Sequence, residues 1–367
     1  MQRSKPPFRA DQVGSLLRSA PVKAARTRKL AGEITAAELR AIEDTEIRKL
    51  VARQEAIGLQ GVTDGEFRRS WWHYDFLAGL RGVELVSVAQ GLQFKGTETK
   101  AEGLHVHGRI DFPADHPMLD HFRFLKSTAT QTPKMTIPSP TALHYRGGRQ
   151  AIEKAVYPEM EPFFVDLGKA YAKAVRAFGE AGCTYLQLDE VFVAYLCDPN
   201  QRDYLRGRGD DPDRLLHVYA DLVNAACAGR TPGMTISMHL CRGNFRSTWM
   251  AQGGYEPVAD ILFNKMNVDA YFMEYDTERA GGFEPLRLLP ANKHAVLGVM
   301  TSKTGALESK DHLKRRIEEA SKFAPLDQLC LSPQCGFAST EEGNLLAEDE
   351  QWAKLARCVE VAEEVWG

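Results

Sequence analysis

The sequence lacks what would place it in a membrane, on a nucleic acid or outside the cell. No stretch reaches the ~18 consecutive apolar residues of a membrane span, and no apolar run of a signal peptide follows Met1-Gln2-Arg3-Ser4-Lys5-Pro6-Pro7. Basic residues are not in excess: 46 Lys and Arg face 49 Asp and Glu, a formal charge of −3. Neither a nucleic acid nor an anionic membrane is therefore expected as a partner. Cysteines are few and odd in number, seven in all, at 183, 197, 227, 241, 330, 335 and 358. That count argues against a disulfide framework and for a reducing, cytoplasmic setting. A Gly-rich phosphate fingerprint after the first strand-like run is also missing.

What is present is core material in regular alternation. At 367 residues, 44% hydrophobic and 26% charged, the chain suits one large α/β barrel or two ordinary domains. Strand-like runs at 8–13, 59–63, 134–137, 184–188, 234–238, 270–273, 295–300 and 328–331 are mostly separated by helical stretches. The helix over 35–58 carries Leu39, Ile42, Ile47, Leu50 and Val51 near helical spacing and stops at Gly58. The helix over 161–182 aligns Phe164, Leu167, Tyr171, Val175 and Phe178, and Asp211-Pro212 opens another. Residues 70–130 break the rhythm with short alternating pieces, and are expected to form a β-rich excursion inserted after the second strand.

Polar residues follow many different strands: Ser15, Asp64 and Glu66, Asp189 and Glu190, His239 and Cys241, Glu274, Thr301 and Lys303, and Cys335. An open doubly wound sheet gathers its site at one switch point, whereas a closed barrel collects residues from all its strand ends. The expected fold is thus an α/β protein with a single (β/α)8 TIM barrel over 1–367, the excursion at 70–130 lying within it.

The run Ser237-Met238-His239-Leu240-Cys241-Arg242-Gly243-Asn244 is the centre of the chemistry. His239 and Cys241 stand two apart, on one face of extended backbone, although such a pair is often only packing. A second strand-like run ends in the carboxylate of Glu274 and a third leads to the thiol of Cys335. One imidazole, two thiolates and a carboxylate form a chemically sensible Zn2+ set. The separations, 274 − 241 = 33 and 335 − 274 = 61 residues, are too long for a zinc-finger loop and suit ligands on successive barrel loops. Zinc among two thiolates and a carboxylate is a poor Lewis acid towards water, but it can hold a substrate thiol as a nucleophilic thiolate. The residues lean towards alkyl transfer to sulfur over hydrolysis.

Around this set, Asp189 and Glu66 could hold an ammonium group, with the Gly14-Ser15 amides on a carboxylate. Helix capping, or a glycosidase-like carboxylate pair, are rival uses of the same residues. Tyr145, following Pro138-Ser139-Pro140, is expected near the mouth, stacked on a flat heterocycle; a core aromatic is the bland alternative. Lys303 is a cation in the loop after strand seven, a place where barrels bind anions.

With these residues in hand, the chain resembles the cobalamin-independent methionine synthase family, in its single-barrel subgroup. The stretches that carry the resemblance are Asp11-Gln12-Val13-Gly14-Ser15, Val62-Thr63-Asp64-Gly65-Glu66-Phe67, Leu186-Gln187-Leu188-Asp189-Glu190, Met238 to Phe245, Glu274-Tyr275-Asp276, Thr301-Ser302-Lys303-Thr304 and Ser332-Pro333-Gln334-Cys335-Gly336-Phe337. The resemblance implies that His239, Cys241, Glu274 and Cys335 bind a zinc that activates homocysteine. It also implies that Ser15, Glu66 and Asp189 hold the amino acid's ammonium and carboxylate. The implied activity is transfer of a methyl group, from 5-methyltetrahydrofolate or another donor, to homocysteine to give methionine.

Three departures bear on the donor. Longer members carry a first barrel that helps to hold a polyglutamated folate, and this chain matches only the second. Thr301-Ser302-Lys303 stands where they have Asp-Ile-His, whose His is proposed to assist proton transfer, so Lys303 takes the catalytic position. Tyr145 stands where they stack the pterin on a Trp. Methyl-folate, a methylated corrinoid protein or another small-molecule donor all remain open, and methyl-folate monoglutamate is expected to be a slow donor. The alternatives are an alkyltransferase for a different thiol, and a metal-free barrel hydrolase or lyase using Asp189 and Glu66.

Overall fold

The computed structural model describes residues 3–367. Eleven strands are numbered in chain order. Four belong to the excursion: β2 (Arg81–Ser87), β3 (Gln93–Phe94), β4 (Thr97–Glu98) and β5 (Glu102–Asp111). The other seven are β1 (Gly61–Val62), β6 (Thr132–Pro138), β7 (Tyr185–Asp189), β8 (Thr235–Leu240), β9 (Ala270–Glu274), β10 (His294–Met300) and β11 (Leu329–Pro333). They form one curled sheet in the order β1-β6-β7-β8-β9-β10-β11, every neighbouring pair parallel. Strands β7, β9 and β11 are buried along their whole length, as parallel strands covered on both faces must be.

The first predicted strand, 8–13, is shorter than expected. It fills the eighth place of a (β/α)8 barrel with a single parallel bridge, Ala10 to Leu331, made by Asp11 N donating to Leu331 O (2.9 Å) and Leu331 N to Arg9 O (2.8 Å). The reason lies in Asp11, whose carboxylate accepts from the backbone amides of Phe8 (3.0 Å) and Gln12 (2.8 Å). Those amides are thereby withdrawn from any longer ladder. On the other side, towards β1, closure passes through side chains: Thr63 Oγ1 donates to Gly14 O at 2.6 Å and Gln12 Nε2 to Gln54 Oε1 at 2.7 Å.

Asp11 also anchors a polar layer inside the barrel. Lys134 Nζ lies 3.2 Å from its Oδ1, the Tyr185 hydroxyl donates to its Oδ2 at 2.8 Å, and the Phe272 ring centroid sits 3.9 Å from the Lys134 ammonium. Both charged side chains are wholly buried.

The outer helices follow their sequence signals. Thr35 and Glu38 form a reciprocal capping box for the helix Ala36–Ala56, and Asp211 caps the helix Pro212–Cys227. The excursion is an antiparallel β2–β5 hairpin with the small β3–β4 ribbon at its tip. Its β character ends at Asp111; the last part of 70–130 is the helix Pro117–Thr128, which buries Met118, Leu119, Phe122 and Leu125. That helix lies against β6 as an ordinary barrel helix. No helix among the described residues is long and apolar enough to cross a membrane.

The seam between the first segment and the rest of the barrel is testable. Lys134→Met leaves the Asp11 charge buried without its partner and is expected to cost ~3–5 kcal/mol. Lys49→Met, which removes an ammonium 68% exposed beside Glu46, should cost about 1 kcal/mol or less. Urea unfolding compares the two, and equal midpoints would show that the buried pair does not hold the seam.

Candidate metal and substrate site

Strand β8 delivers His239 directly, and Cys241 follows it by one residue. Beyond β11 the chain turns so that Gln334 N donates to Met300 O (2.7 Å) and Phe337 N to Ser15 O (2.8 Å). This brings Cys335 in from the other side of the mouth. Glycine at 336 lets the turn pack against Ser15, because a Cβ there would lie 1.9 Å from Ser15 Oγ and displace that hydroxyl. The ligand atoms of His239, Cys241 and Cys335 all lie within 4.8 Å of one another, and all three residues are buried. Neither ring nitrogen of His239 has an oxygen or nitrogen partner among the described residues; its hydrogen-bonding neighbour is the Cys335 sulfur. A buried imidazole set against two thiols fits a soft metal ion, and the group could hold one.

The charges within the group favour deprotonated sulfur. The Cys335 thiol is held well below its usual range by the Cys241 hydrogen bond, with the positive His239 and Lys303 adding to the effect against burial. Cys241 is pushed well above its range by the Cys335 thiolate and by burial. The remaining cysteines are different: burial raises Cys183 and Cys330 each to about 12, as suits inert core thiols.

Glu274 ends β9 next door but stands outside this three-residue group. Its Oε2 accepts from the Arg242 amide (2.6 Å), and its Oε1 meets Arg279, Lys303 (3.5 Å) and Gln334 Nε2 (3.4 Å). Burial would raise its pKa, but the cations Lys303, Arg242 and Arg279 outweigh burial and hold it at about 2. Glu274 is thus a buried carboxylate already compensated by protein cations. Arg279 was not singled out in the sequence, since a partner five residues beyond a strand end carries no local signature.

The remaining expected residues divide. Ser15, Glu66 and Asp189 line one pocket with His239, Cys241 and Cys335. Asp189 pairs in register with His239 across β7 and β8 and accepts from Gln187 Nε2 at 2.7 Å. Burial and the nearby Glu66 carboxylate raise its carboxyl to about 7. Glu66 adopts φ 59°, a left-handed conformation held by Asp64, whose Oδ1 accepts the Glu66 amide at 2.9 Å. Its Oε1 takes Thr136 Oγ1 at 2.8 Å and lies 3.3 Å from Arg69, while Oε2 has no partner among the described residues. Glu190 is structural: it accepts the Phe192 and Val193 amides and meets Thr141.

Two expected residues lie elsewhere. The Tyr145 ring does not enter the metal pocket. It stacks on Phe192 (centroids 4.6 Å apart), donates its hydroxyl to Gln201 (2.8 Å) and lines a neighbouring groove. The helix Thr141–Gly147 begins directly after Pro140 and carries that ring onto Phe192. Lys303 is buried between Glu274 (3.5 Å) and Asp276 (3.8 Å). Burial alone would lower its pKa, but those carboxylates and the Cys335 sulfur prevail and raise it. It is a fixed cation, with no near-neutral proton to give.

The pocket wall also includes residues not assigned from the sequence. Asn244 Nδ2 donates to Gly336 O (2.8 Å), tying the β8 loop to the Cys335 turn. Phe94, from the excursion, and Trp71 pack against Phe245 at centroid distances of 5.4 and 6.1 Å and close the roof. Arg146, adjacent to Tyr145, lines the same wall.

Comparison with known proteins agrees with this architecture. The family model described as "Cobalamin-independent synthase, Catalytic domain" matches residues 8–364. The Bacillus subtilis protein YxjG is 54% identical over 369 residues, covering 100% of this chain and 97% of YxjG. The crystal structure of a putative vitamin-B12 independent methionine synthase from Listeria monocytogenes superposes with TM-score 0.80 at 42% identity, covering 100% of both chains. A Bacillus velezensis 5-methyltetrahydropteroyltriglutamate–homocysteine methyltransferase is 23% identical over 335 residues, and the matched region covers 91% of this chain but 40% of that protein. The chain therefore belongs to the cobalamin-independent synthase family, whose catalytic domain it carries from residue 8 to residue 364.

Proposed function

We propose that the protein is a zinc-dependent S-methyltransferase that moves a methyl group from a donor to the thiol of homocysteine, giving methionine. The observation that carries this reading is the shared pocket: two thiols and an imidazole on one side, with Asp189, Glu66 and Ser15 facing them. That arrangement matches an amino acid with a sulfur-bearing side chain. His239, Cys241 and Cys335 would hold the zinc, which supplies the positive charge that keeps a substrate sulfur as thiolate at neutral pH. A place for Glu274 as the fourth ligand requires it to leave Arg279.

The protein's own groups set the substrate. Asp189 and the free oxygen of Glu66 receive the ammonium, and Ser15 lies where the carboxylate falls. Trp71, Phe94 and Phe245 keep water from the thiolate, which attacks the donor methyl in line. The folate-dependent activity named for the Bacillus velezensis relative supports methyl-folate as a donor class; a corrinoid protein or another donor fits the same acceptor site. With Lys303 held protonated, a donor that needs a proton to leave must find it elsewhere. A metal-free hydrolase or lyase using Asp189 and Glu66 would leave the imidazole and the two thiols of the same pocket without a role.

The metal reading is checked by Cys335→Ser. On zinc-replete protein this change is expected to remove most bound zinc and methionine formation while the fold remains; Cys183→Ala should keep both. Retained zinc in Cys335→Ser, or full activity in chelator-treated protein, would overturn the metal role.

The ammonium site is checked by the pH dependence of methionine binding to metal-free protein. An ammonium favours the charged form of Asp189, so affinity should rise with pH and level off above about 7, the value to which burial and Glu66 bring it. Below that value it should fall about tenfold per pH unit, as the competent fraction falls. Asp189→Asn should abolish the step and cost ~1.5–3 kcal/mol of binding. A wild-type curve flat from pH 6 to 8 would remove Asp189 from that role.

A further inference from the structure

The two thiols of the metal group come from strands that are not neighbours. Two others, β9 and β10, separate β8 from β11 in the sheet, yet the Cys241 and Cys335 sulfurs lie within 4.8 Å of each other. Sheet hydrogen bonds therefore do not set that spacing directly, and the loops beyond the strands must.

The loop that carries Cys241 closes on itself. Arg242 O accepts the amides of Met250 (2.9 Å) and Ala251 (3.1 Å), and Phe245 and Thr248 exchange backbone hydrogen bonds (3.3 and 2.9 Å). Arg246 and Ser247 are left for the turn, with φ of 46° and 65°. Left-handed backbone at both central positions belongs to the tight I′ turn, which prefers Asn-Gly. An arginine and a serine resist that conformation, so it persists only where its surroundings impose it.

Asn344, beyond the Cys335 turn, imposes it. Its Oδ1 accepts the Ser247 amide (3.0 Å), and Ser247 Oγ accepts the Leu345 amide (3.0 Å). Asn344 is itself fixed, donating Nδ2 to Ser302 O (2.8 Å) and its backbone N–H to Phe337 O (3.2 Å). One residue thus joins the loops after β8, β10 and β11. Asn244, two residues before the turn, adds a second tie by donating Nδ2 to the carbonyl of Gly336 (2.8 Å), next to Cys335.

We propose that Asn344 is a positioning residue for the metal group: by sustaining the Arg246-Ser247 turn, and with it the Asn244 tie, it keeps the Cys241 and Cys335 sulfurs facing each other before a metal arrives. This rests on the zinc reading for the identity of the metal. It deepens that reading by assigning the preorganisation to a residue outside both the metal group and the pocket lining.

Two measurements test it, one with metal and one without. Chelator competition gives zinc affinity. Phenylarsine oxide, which bridges two adjacent thiols with release of water, reports the approach of the sulfurs in metal-free protein, with Cys335→Ser as the background. Both are applied to wild type, to Asn344→Ala, and to Asn344→Ala combined with Arg246→Asn and Ser247→Gly, which supply the pair the turn prefers. Asn344→Ala is expected to lose about tenfold to a hundredfold in zinc affinity, the scale of an outer support of a metal ligand. It should also bind the arsenical about tenfold more weakly or worse, and the preferred turn pair should return most of both losses. Asn344→Ser takes the place of Asn344→Ala if the latter does not fold. Arsenical binding equal in wild type and Asn344→Ala overturns the proposal, as does a loss that the preferred turn pair leaves uncorrected. If wild type binds no zinc while its arsenical binding depends on Asn344, the zinc reading falls and the positioning role stands. If wild type binds zinc through Cys335 and Asn344→Ala matches it in both measurements, the reverse holds.

Discussion

Barrel closure depends on one carboxylate. Asp11 gives its two oxygens to the Phe8 and Gln12 amides, the Lys134 ammonium and the Tyr185 hydroxyl. It thereby converts a strand too short to pair into a seam locked from inside. The cost is a buried ion pair, which contributes fixed register more than net stability. The seam is also what aligns the site: Gly14 and Ser15 follow directly, Phe337 N donates to Ser15 O, and Gly336 permits the close approach that sets Cys335 facing His239.

A second theme is how the site carries so much charge away from water. Glu274 and Asp276 are buried with Lys303 and Arg279 between them, and Arg242 fills its donors with the carbonyls of Gly253 and Ala280 and the Tyr255 hydroxyl. The Cys335 side differs: the groups that hold its sulfur down are the neighbouring Cys241 thiol and the His239 imidazole, with Lys303 adding to them. The carboxylates are thus compensated by protein cations, whereas the sulfur–imidazole group is one that a metal ion could complete.

Much of this was legible in the sequence, for physical reasons. Parallel strands buried on both faces read as apolar runs, so β6 to β11 stood out, and the imidazole, thiols and carboxylates at their ends were visible because a barrel places its site residues just beyond its strands. Gly58 marked the end of one helix, and Asp211 with Pro212 announced the start of another. What escaped depended on tertiary pairing. The stretch 8–13 reads as a strand, and nothing local says that Asp11 takes the amides a ladder would use. The helix Pro117–Thr128 was hidden at the end of a β-rich stretch. Tyr145 follows a strand, as a mouth residue should, but an immediate helix turned its ring onto Phe192. Glu274 shares the sequence setting of His239, Cys241 and Cys335, but its pairing with Arg279 and Lys303 is brought together only by the fold.

The hairpin has a consequence for how such a site can diversify. His239 and Asp189 hang from the parallel sheet, where changing a strand's length or register would disturb every neighbour. The roof over them is built partly from Phe94 on β3, which among the described residues pairs with the adjacent β4 alone. Residues 88–100 can therefore vary in length and composition with the sheet left untouched. The pocket floor and its roof are mechanically decoupled in this chain, so one floor can serve beneath many different roofs.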